Sequence, residues 1–300
     1  MQMRTGTAHS GDVDIYYEDM GNPDDPAVLL IMGLGAQLLL WRDGFCEKLV
    51  DQGLRVIRYD NRDVGLSTKM RGQRSGGTQP IKLVRSFLGA KSPAVYNLED
   101  MADDAAALLD HLGIEHAHIV GASMGGMIAQ VFAARFKART DTLAIIFSSN
   151  NQPLLPPPGP QQLQALLSKP KDPSPEGIVE NAIKVGRVIG SPGYPKSEET
   201  LRAEALEGYE RAYYPAGYAR HFEAIMGSGS LLHYDRQIEA PTVIIHGKAD
   251  KLMRPAGGKA IAKAIPRARL VMFDGMGHDL PEPLWDDIVG ELKTNFAESR

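Results

Sequence analysis

Short apolar runs alternate along this chain with stretches of helical period, and that rhythm limits the folds open to it. Residues 28–32 are continuously apolar, and 55–59, 117–120, 143–147, 242–246 and 269–273 read as further short strands. Val13, Ile15 and Tyr17 alternate with Asp12, Asp14 and Tyr16, the pattern of a strand with one exposed face. Between the runs lie helices. Asn97 can cap one that carries Leu98, Met101, Ala105, Leu108, Leu109 and Leu112 on a single stripe, and Gly113 closes it. Residues 256–265 form another, and Leu284, Ile288, Val289, Leu292 and Phe296 mark a last amphipathic helix. A strand that is apolar on both faces must be covered on both faces. Helices alternating with such strands do this, so the expected class is α/β with a mostly parallel sheet flanked by helices.

One segment breaks the rhythm. Residues 153–160, PLLPPPGP, hold five prolines and cannot form helix or inner strand. From there to about residue 232 the pattern is helical, and the strand rhythm resumes near Pro241. The expected organisation is a core of residues 1–150 and 233–300 with an inserted helical cap of residues 151–232. Such an insertion would lie over the carboxyl ends of the strands, where open sheets bind ligands.

The chemistry centres on Gly121-Ala122-Ser123-Met124-Gly125. An apolar strand precedes it, and Met127, Ile128, Val131 and Phe132 follow at helical spacing. Gly-x-Ser-x-Gly at a strand-to-helix turn holds a serine hydroxyl exposed, with small neighbours where strand and helix pass close together. A phosphate cradle does not fit, because neither Gly-x-x-x-x-Gly-Lys-Ser/Thr nor an early Gly-x-Gly-x-x-Gly is present.

A serine hydroxyl needs a base, and the base needs a carboxylate to orient it. Among eight histidines, His278 follows a strand in the Gly-rich loop FDGMGHDLPEP. Asp250 lies just beyond the strand at 242–246, so the order is Ser123, Asp250, His278. Asp274 and Asp279 are the rival carboxylates. An oxyanion would be held by the backbone N–H groups of Met124 and Leu34, the latter in the loop IMGLGAQLLLW. Gly33, Trp41, Tyr214 and His221 are candidate substrate contacts.

Together these segments resemble the α/β-hydrolase superfamily, and within it the group around aclacinomycin methylesterase and similar bacterial carboxylesterases. The resemblance rests on IMGLGAQLLLW, RYDNRDVGLST, HIVGASMGG, IIHGKADKLM and GMGHDLP in that order. It implies the α/β-hydrolase fold, with Ser123 as nucleophile, Asp250 as acid, His278 as base, and Leu34 and Met124 at the oxyanion positions. Asp60, Arg62 and Gly65 fall in a loop that supports the site in that family. Many members carry His-Gly where this chain has Met32-Gly33, as the aclacinomycin-type enzymes do.

The expected activity is cofactor-free, metal-free cleavage of small or medium uncharged carboxylic esters through an acyl-enzyme. The same triad would serve a haloperoxidase-type hydrolase. It would also serve a proline-iminopeptidase-like aminopeptidase if Glu204, Glu207 and Glu210 met a substrate amine. A small-molecule-binding receptor on the same fold is the non-enzymatic alternative. A net charge of −4 argues against nucleic acid as partner, and no apolar run is long enough to span a bilayer. The single cysteine, Cys46, forms no internal disulfide and suits a reducing compartment. A cytoplasmic protein with a small-molecule ester as its partner, and no nucleic acid or membrane partner, is therefore expected.

Overall fold

The computed structural model describes residues 3–299; the terminal residues that the sequence reading assigns to the core, 1, 2 and 300, lie outside the described residues. In chain order the first elements are β1 (Met3–Ser10), β2 (Val13–Met20), β3 (Ala27–Ile31), α1 (Asp43–Val50) and β4 (Arg55–Tyr59). Then come α2 (Gln79–Phe87), α3 (Leu98–His111), β5 (Ala117–Ala122), α4 (Met124–Arg135) and β6 (Thr140–Ile146). Between β6 and the next strand lie α5 (Pro160–Leu166), α6 (Pro175–Ile189), α7 (Glu198–Arg211), α8 (Pro215–Ser228) and the short α9 (Leu232–Asp235). The chain ends with β7 (Thr242–Gly247), α10 (Pro255–Ala264), β8 (Arg269–Phe273) and α11 (Trp285–Phe296).

The strands form one eight-stranded sheet in the order β1-β2-β4-β3-β5-β6-β7-β8. The β1–β2 and β2–β4 pairings are antiparallel, and the rest are parallel. Side chains alternate between the two faces along each strand. Leu29, Ile31, Ile57, Ile119, Ile145 and Ile244 join one buried cluster, together with residues of α3 and α4. Their neighbours Val28, Leu30, Val56, Val120, Ile146 and Ile245 join a second, with residues of α1 and α11. This is why the central strands read as unbroken apolar runs: both faces are covered. The Asn97 cap is also present. Its side chain accepts from the Glu99 and Asp100 N–H groups, and Asp100 returns a bond to the Asn97 N–H at 2.8 Å.

The chain runs from β3 to β4 on one side and then back to β5 on the other. This reversal makes a crevice between the carboxyl ends of β3 and β5, the place where open sheets bind ligands. Ile31 pairs with Gly121, so the loop after β3 and the turn after β5 leave the sheet side by side.

Helix α4 then packs unusually close. A Cβ built on Gly125 would lie 2.0 Å from the Ile31 carbonyl oxygen, and one on Gly121 would lie 2.2 Å from the Gly125 carbonyl oxygen. Both contacts are with backbone, which cannot swing aside. Gly125→Ala should therefore lower stability by about 1–3 kcal/mol through overpacking, read as a lower urea midpoint with an unchanged slope. An unaltered midpoint would show that the strand and helix can part freely here.

Candidate active site

Ser123 occupies the tight turn between β5 and α4 with φ 57° and ψ −121°, a region that L-residues rarely enter. The surroundings hold it there. Its N–H donates to the Ile146 carbonyl at 2.9 Å, and its carbonyl accepts from the Ser148 hydroxyl at 2.6 Å and from the Gly126 N–H at 3.0 Å. The side chain is thereby raised clear of the sheet.

The structure brings the three residues expected to act together into one chain of contacts. His278 Nε2 lies 2.9 Å from Ser123 Oγ, and His278 Nδ1 lies 2.8 Å from Asp250 Oδ2. The other Asp250 oxygen accepts from the Leu252 and Met253 N–H groups at 2.8 and 2.9 Å, which aims Oδ2 at the imidazole. The rival carboxylates are engaged elsewhere. Asp274 pairs with Lys248 at 2.9 Å at the surface, and Asp279 accepts from the Ser191 hydroxyl. Burial raises the pKa of Asp279. His246, at the end of β7, is fully buried, with Nε2 2.6 Å from the Met253 carbonyl oxygen.

The loop after β3 passes over the serine. A Cβ on Gly33 would lie 3.0 Å from Ser123 Cβ, so only glycine lets the backbone approach this closely. Among the described residues, the N–H groups of Leu34 and Met124 have no internal acceptor. Met124 opens α4, where the first N–H groups point free of the helix. The loop has a keeper the sequence did not reveal. Gly35 donates its N–H to His221 Nδ1 at 3.1 Å, and His221 Nε2 donates to the Arg62 carbonyl at 2.7 Å. These two partners fix one neutral tautomer. His221 is therefore a strut between α8 and the loop, wholly buried and outside the cavity wall, and not a substrate contact.

The supporting loop of residues 60–65 also acts through bonds to its neighbours. Asp60 accepts from the Leu38 and Leu66 N–H groups, each at 2.8 Å, and Asp63 takes both arms of Arg220 at 2.7 and 2.8 Å. The segment between α6 and α7 grips the histidine loop in the same way. The N–H of His278 donates to the Ile189 carbonyl at 2.8 Å, Gly277 N–H to the Ser191 hydroxyl at 2.8 Å, and Gly193 N–H to the Gly275 carbonyl at 2.9 Å.

Ser123 and His278 open into a cavity of about 530 Å³. Gly33 and Leu34 line it, as do Tyr218 and Phe222 of α8. Two other expected contacts do not. Trp41 is fully buried and stacks on Phe45 with ring centroids 5.7 Å apart, so α1 draws it into the core. Tyr214 turns away and accepts from Arg220 at 3.0 Å. Leu83 and Phe87 of α2 line the cavity instead, from a helix the strand rhythm did not mark. Of Glu204, Glu207 and Glu210 on α7, only Glu204 reaches the wall, and Lys196 holds both its oxygens at 2.8 Å. Among the described residues, no group of three or more His, Cys, Asp or Glu side chains is placed to hold a metal ion.

Residues 26–174 match the family model of the alpha/beta hydrolase fold. The chain is a member of the α/β-hydrolase superfamily. This hydrolase is 28% identical to rhodomycin D methylesterase of Streptomyces peucetius, over 94% of its own length and 96% of that protein. It is 24% identical to a bifunctional esterase/perhydrolase of Acinetobacter calcoaceticus, over 90% of its length and 91% of that protein. The enol-lactonase of Burkholderia xenovorans LB400 superposes with a TM-score of 0.70 at 24% identity, covering 98% of the hydrolase and 99% of that chain. No helix among the described residues is long and apolar enough to cross a membrane.

The His221 strut gives the hydrolase a measurable pH dependence of stability. Burial pushes its pKa down to about 4, against about 6.5 for an unfolded histidine. Between these values the unfolded chain binds a proton that the native chain does not, so stability rises with pH across that window. Falling from pH 7 to pH 4 should cost about 3 kcal/mol through this residue, with only a few tenths more lost by about pH 3. Burial lowers the pKa of His118 and His246 as well, which adds the same sign of slope to any variant. His221→Gln should flatten the profile by the His221 share in urea unfolding from pH 4 to pH 7; identical slopes in the two proteins would refute the assignment.

Proposed function

We propose that the protein is a serine carboxylesterase that cleaves small or medium uncharged esters. The observation that carries this reading is the contact chain from Asp250 through His278 to Ser123 at the floor of a largely apolar cavity. In the proposed reaction Ser123 Oγ attacks the ester carbonyl carbon while His278 Nε2 takes the hydroxyl proton. The carbonyl oxygen becomes an oxyanion and accepts from the Leu34 and Met124 N–H groups, aided by the N-terminus of α4. Collapse breaks the bond to the alcohol oxygen, which leaves with the proton from His278. Water then gives its proton to His278, attacks the acyl carbon and releases the acid and Ser123. Asp250 keeps the proton of the imidazole on Nδ1 throughout.

The wall of the cavity supports uncharged substrates. Leu34, Leu163, Val185, Phe222 and Leu280 contribute apolar surface, with few polar groups among them. The one carboxylate from α7 at the wall is already neutralised by Lys196, so a substrate ammonium would have to displace that pair. This favours esters over aminoacyl substrates. The relatives' printed activities, methyl-ester and other ester cleavage, support the same class. Residues 151–232 would act as the cap that selects among esters. Cys46 is buried, and burial pushes its thiol pKa up to about 12, so it is inert and takes no part. We place the enzyme in the cytoplasm, where a lone thiol stays reduced.

An organophosphonate should label Ser123 stoichiometrically, seen by peptide mass spectrometry, and Ser123→Ala should abolish ester turnover. Labelling at Ser148 or Ser149 would sink the assignment. Asp250→Asn should keep the fold and lower kcat by about 10⁴-fold through the wrong imidazole tautomer. A proline arylamide should be cleaved far more slowly than a neutral aryl ester. Faster arylamide cleavage that Glu204→Gln abolishes would replace the esterase reading by an aminopeptidase.

A further inference from the structure

Helix α2 is attached to the body by its polar side. Lys82 is 1% exposed, and its ammonium lies 2.8 Å from a Glu223 oxygen and 2.6 Å from the Ser75 hydroxyl. The apolar residues point outward: Ile81 is 60% exposed, Val84 61%, Phe87 50% and the adjoining Leu88 58%. At helical spacing these four make one stripe. A helix on a soluble protein ordinarily does the reverse. Pairing with Glu223 offsets the burial of the ammonium, but nothing among the described residues covers the stripe.

The stripe continues onto the cavity mouth. Leu83, Ser86 and Phe87 line the cavity, and beyond Phe87 the exposed Leu154 brings its N–H to 3.4 Å from the Phe87 carbonyl oxygen. The segment that carries it is one-sided in charge. Residues 64–98 contain six lysines and arginines and no aspartate or glutamate. The whole chain carries −4, so this segment at +6 leaves −10 on the remainder. Lys82 and Lys91 are paired with Glu223 and Glu99, and Lys69 is held by backbone carbonyls. Arg71, Arg74 and Arg85 are exposed, with no carboxylate at ion-pair distance among the described residues. Arg85 donates to the Lys91 carbonyl, which leaves its charge unneutralised.

We propose that α2 docks the enzyme on an anionic lipid surface, its apolar stripe entering the acyl boundary and Arg85, with Arg71 and Arg74 just ahead of the helix, meeting the headgroups. An outward apolar face flanked by arginine is the pattern of a helix that lies in such an interface. Docking would set the cavity mouth against the apolar layer, so that a lipophilic ester could enter without crossing water. That purpose rests on the esterase reading; the docking itself does not. A second copy of the chain fits the face less well, because a two-fold interface would set one arginine group against the other. The lack of a spanning segment, from which no membrane partner is expected, does not bear on a surface helix, which needs none.

Flotation of the full chain with vesicles tests this. It should bind vesicles of phosphatidylcholine mixed with phosphatidylglycerol, bind phosphatidylcholine alone far more weakly, and be released by salt. The double variants Ile81→Glu/Val84→Glu and Arg74→Glu/Arg85→Glu should each weaken binding at least about tenfold, with turnover of a water-soluble ester unchanged. None of these four residues lines the cavity. Absence of binding by the unaltered chain, or binding by both variants as strong as that of the unaltered chain, overturns the proposal. So does a dimer in sedimentation that Ile81→Glu/Val84→Glu dissolves, which would assign the face to a second copy. Binding without any ester turnover would refute the esterase reading and leave the docking standing.

Discussion

The distance between helix α4 and strands β3 and β5 governs the site. With no side chain at Gly121 or Gly125, backbone meets backbone, and the turn between β5 and α4 has room for one residue in a strained conformation. Such a residue costs of order 1–3 kcal/mol, and the bonds to Ile146 and Ser148 offset it. Several properties follow from this one contact. The serine is lifted off the sheet, the first N–H groups of α4 face the same point, and the Gly33 loop lies against the serine Cβ. A looser packing would separate these groups even if every residue type were kept.

Much of this was legible because burial on both faces leaves a plain record. The strands at 55–59 and 269–273 coincide with β4 and β8, and the Asn97 cap stands where its side chain suggested. Ser123, Asp250 and His278 could be found because each follows the end of a strand, and the carboxyl edge of a parallel sheet gathers such positions. β1 left no such record: its residues MRTGTAHS are mostly polar, and it pairs only with β2 at the edge. α2 was missed for a different reason. Its apolar residues face outward, so a pattern search that assumes an inward stripe has nothing to find. Trp41 and Tyr214 show a third limit. An aromatic side chain packs against its neighbours whether it faces a cavity or not, and Phe45 and Arg220 decide the matter for these two.

Sequence spacing also concealed how the glutamates on α7 are used. Glu204, Glu207 and Glu210 recur every three residues, yet each meets a different environment. Glu204 is held by Lys196 at the cavity wall, Glu207 by Arg42 at its rim, and Glu210 faces outward. Partners from distant segments set the charge that a ligand meets, and no local pattern records them.

The bonds from the 189–193 segment and from His221 bear on how this protein could change over time. In sequence, residues 151–232 lie between β6 and β7, which invites the idea of a detachable module. In space, Ile189, Ser191 and Gly193 are struts of the histidine loop, and His221 is a strut of the Gly33–Gly35 loop. Exchanging the whole segment for a relative's would withdraw those struts at the same stroke. Leu163, Leu166, Val185 and Leu201 also face the cavity, but their side chains hold none of these loops. The ligand range of this chain is thus free to drift by single replacements at such positions, while the backbone that carries them must be inherited nearly whole.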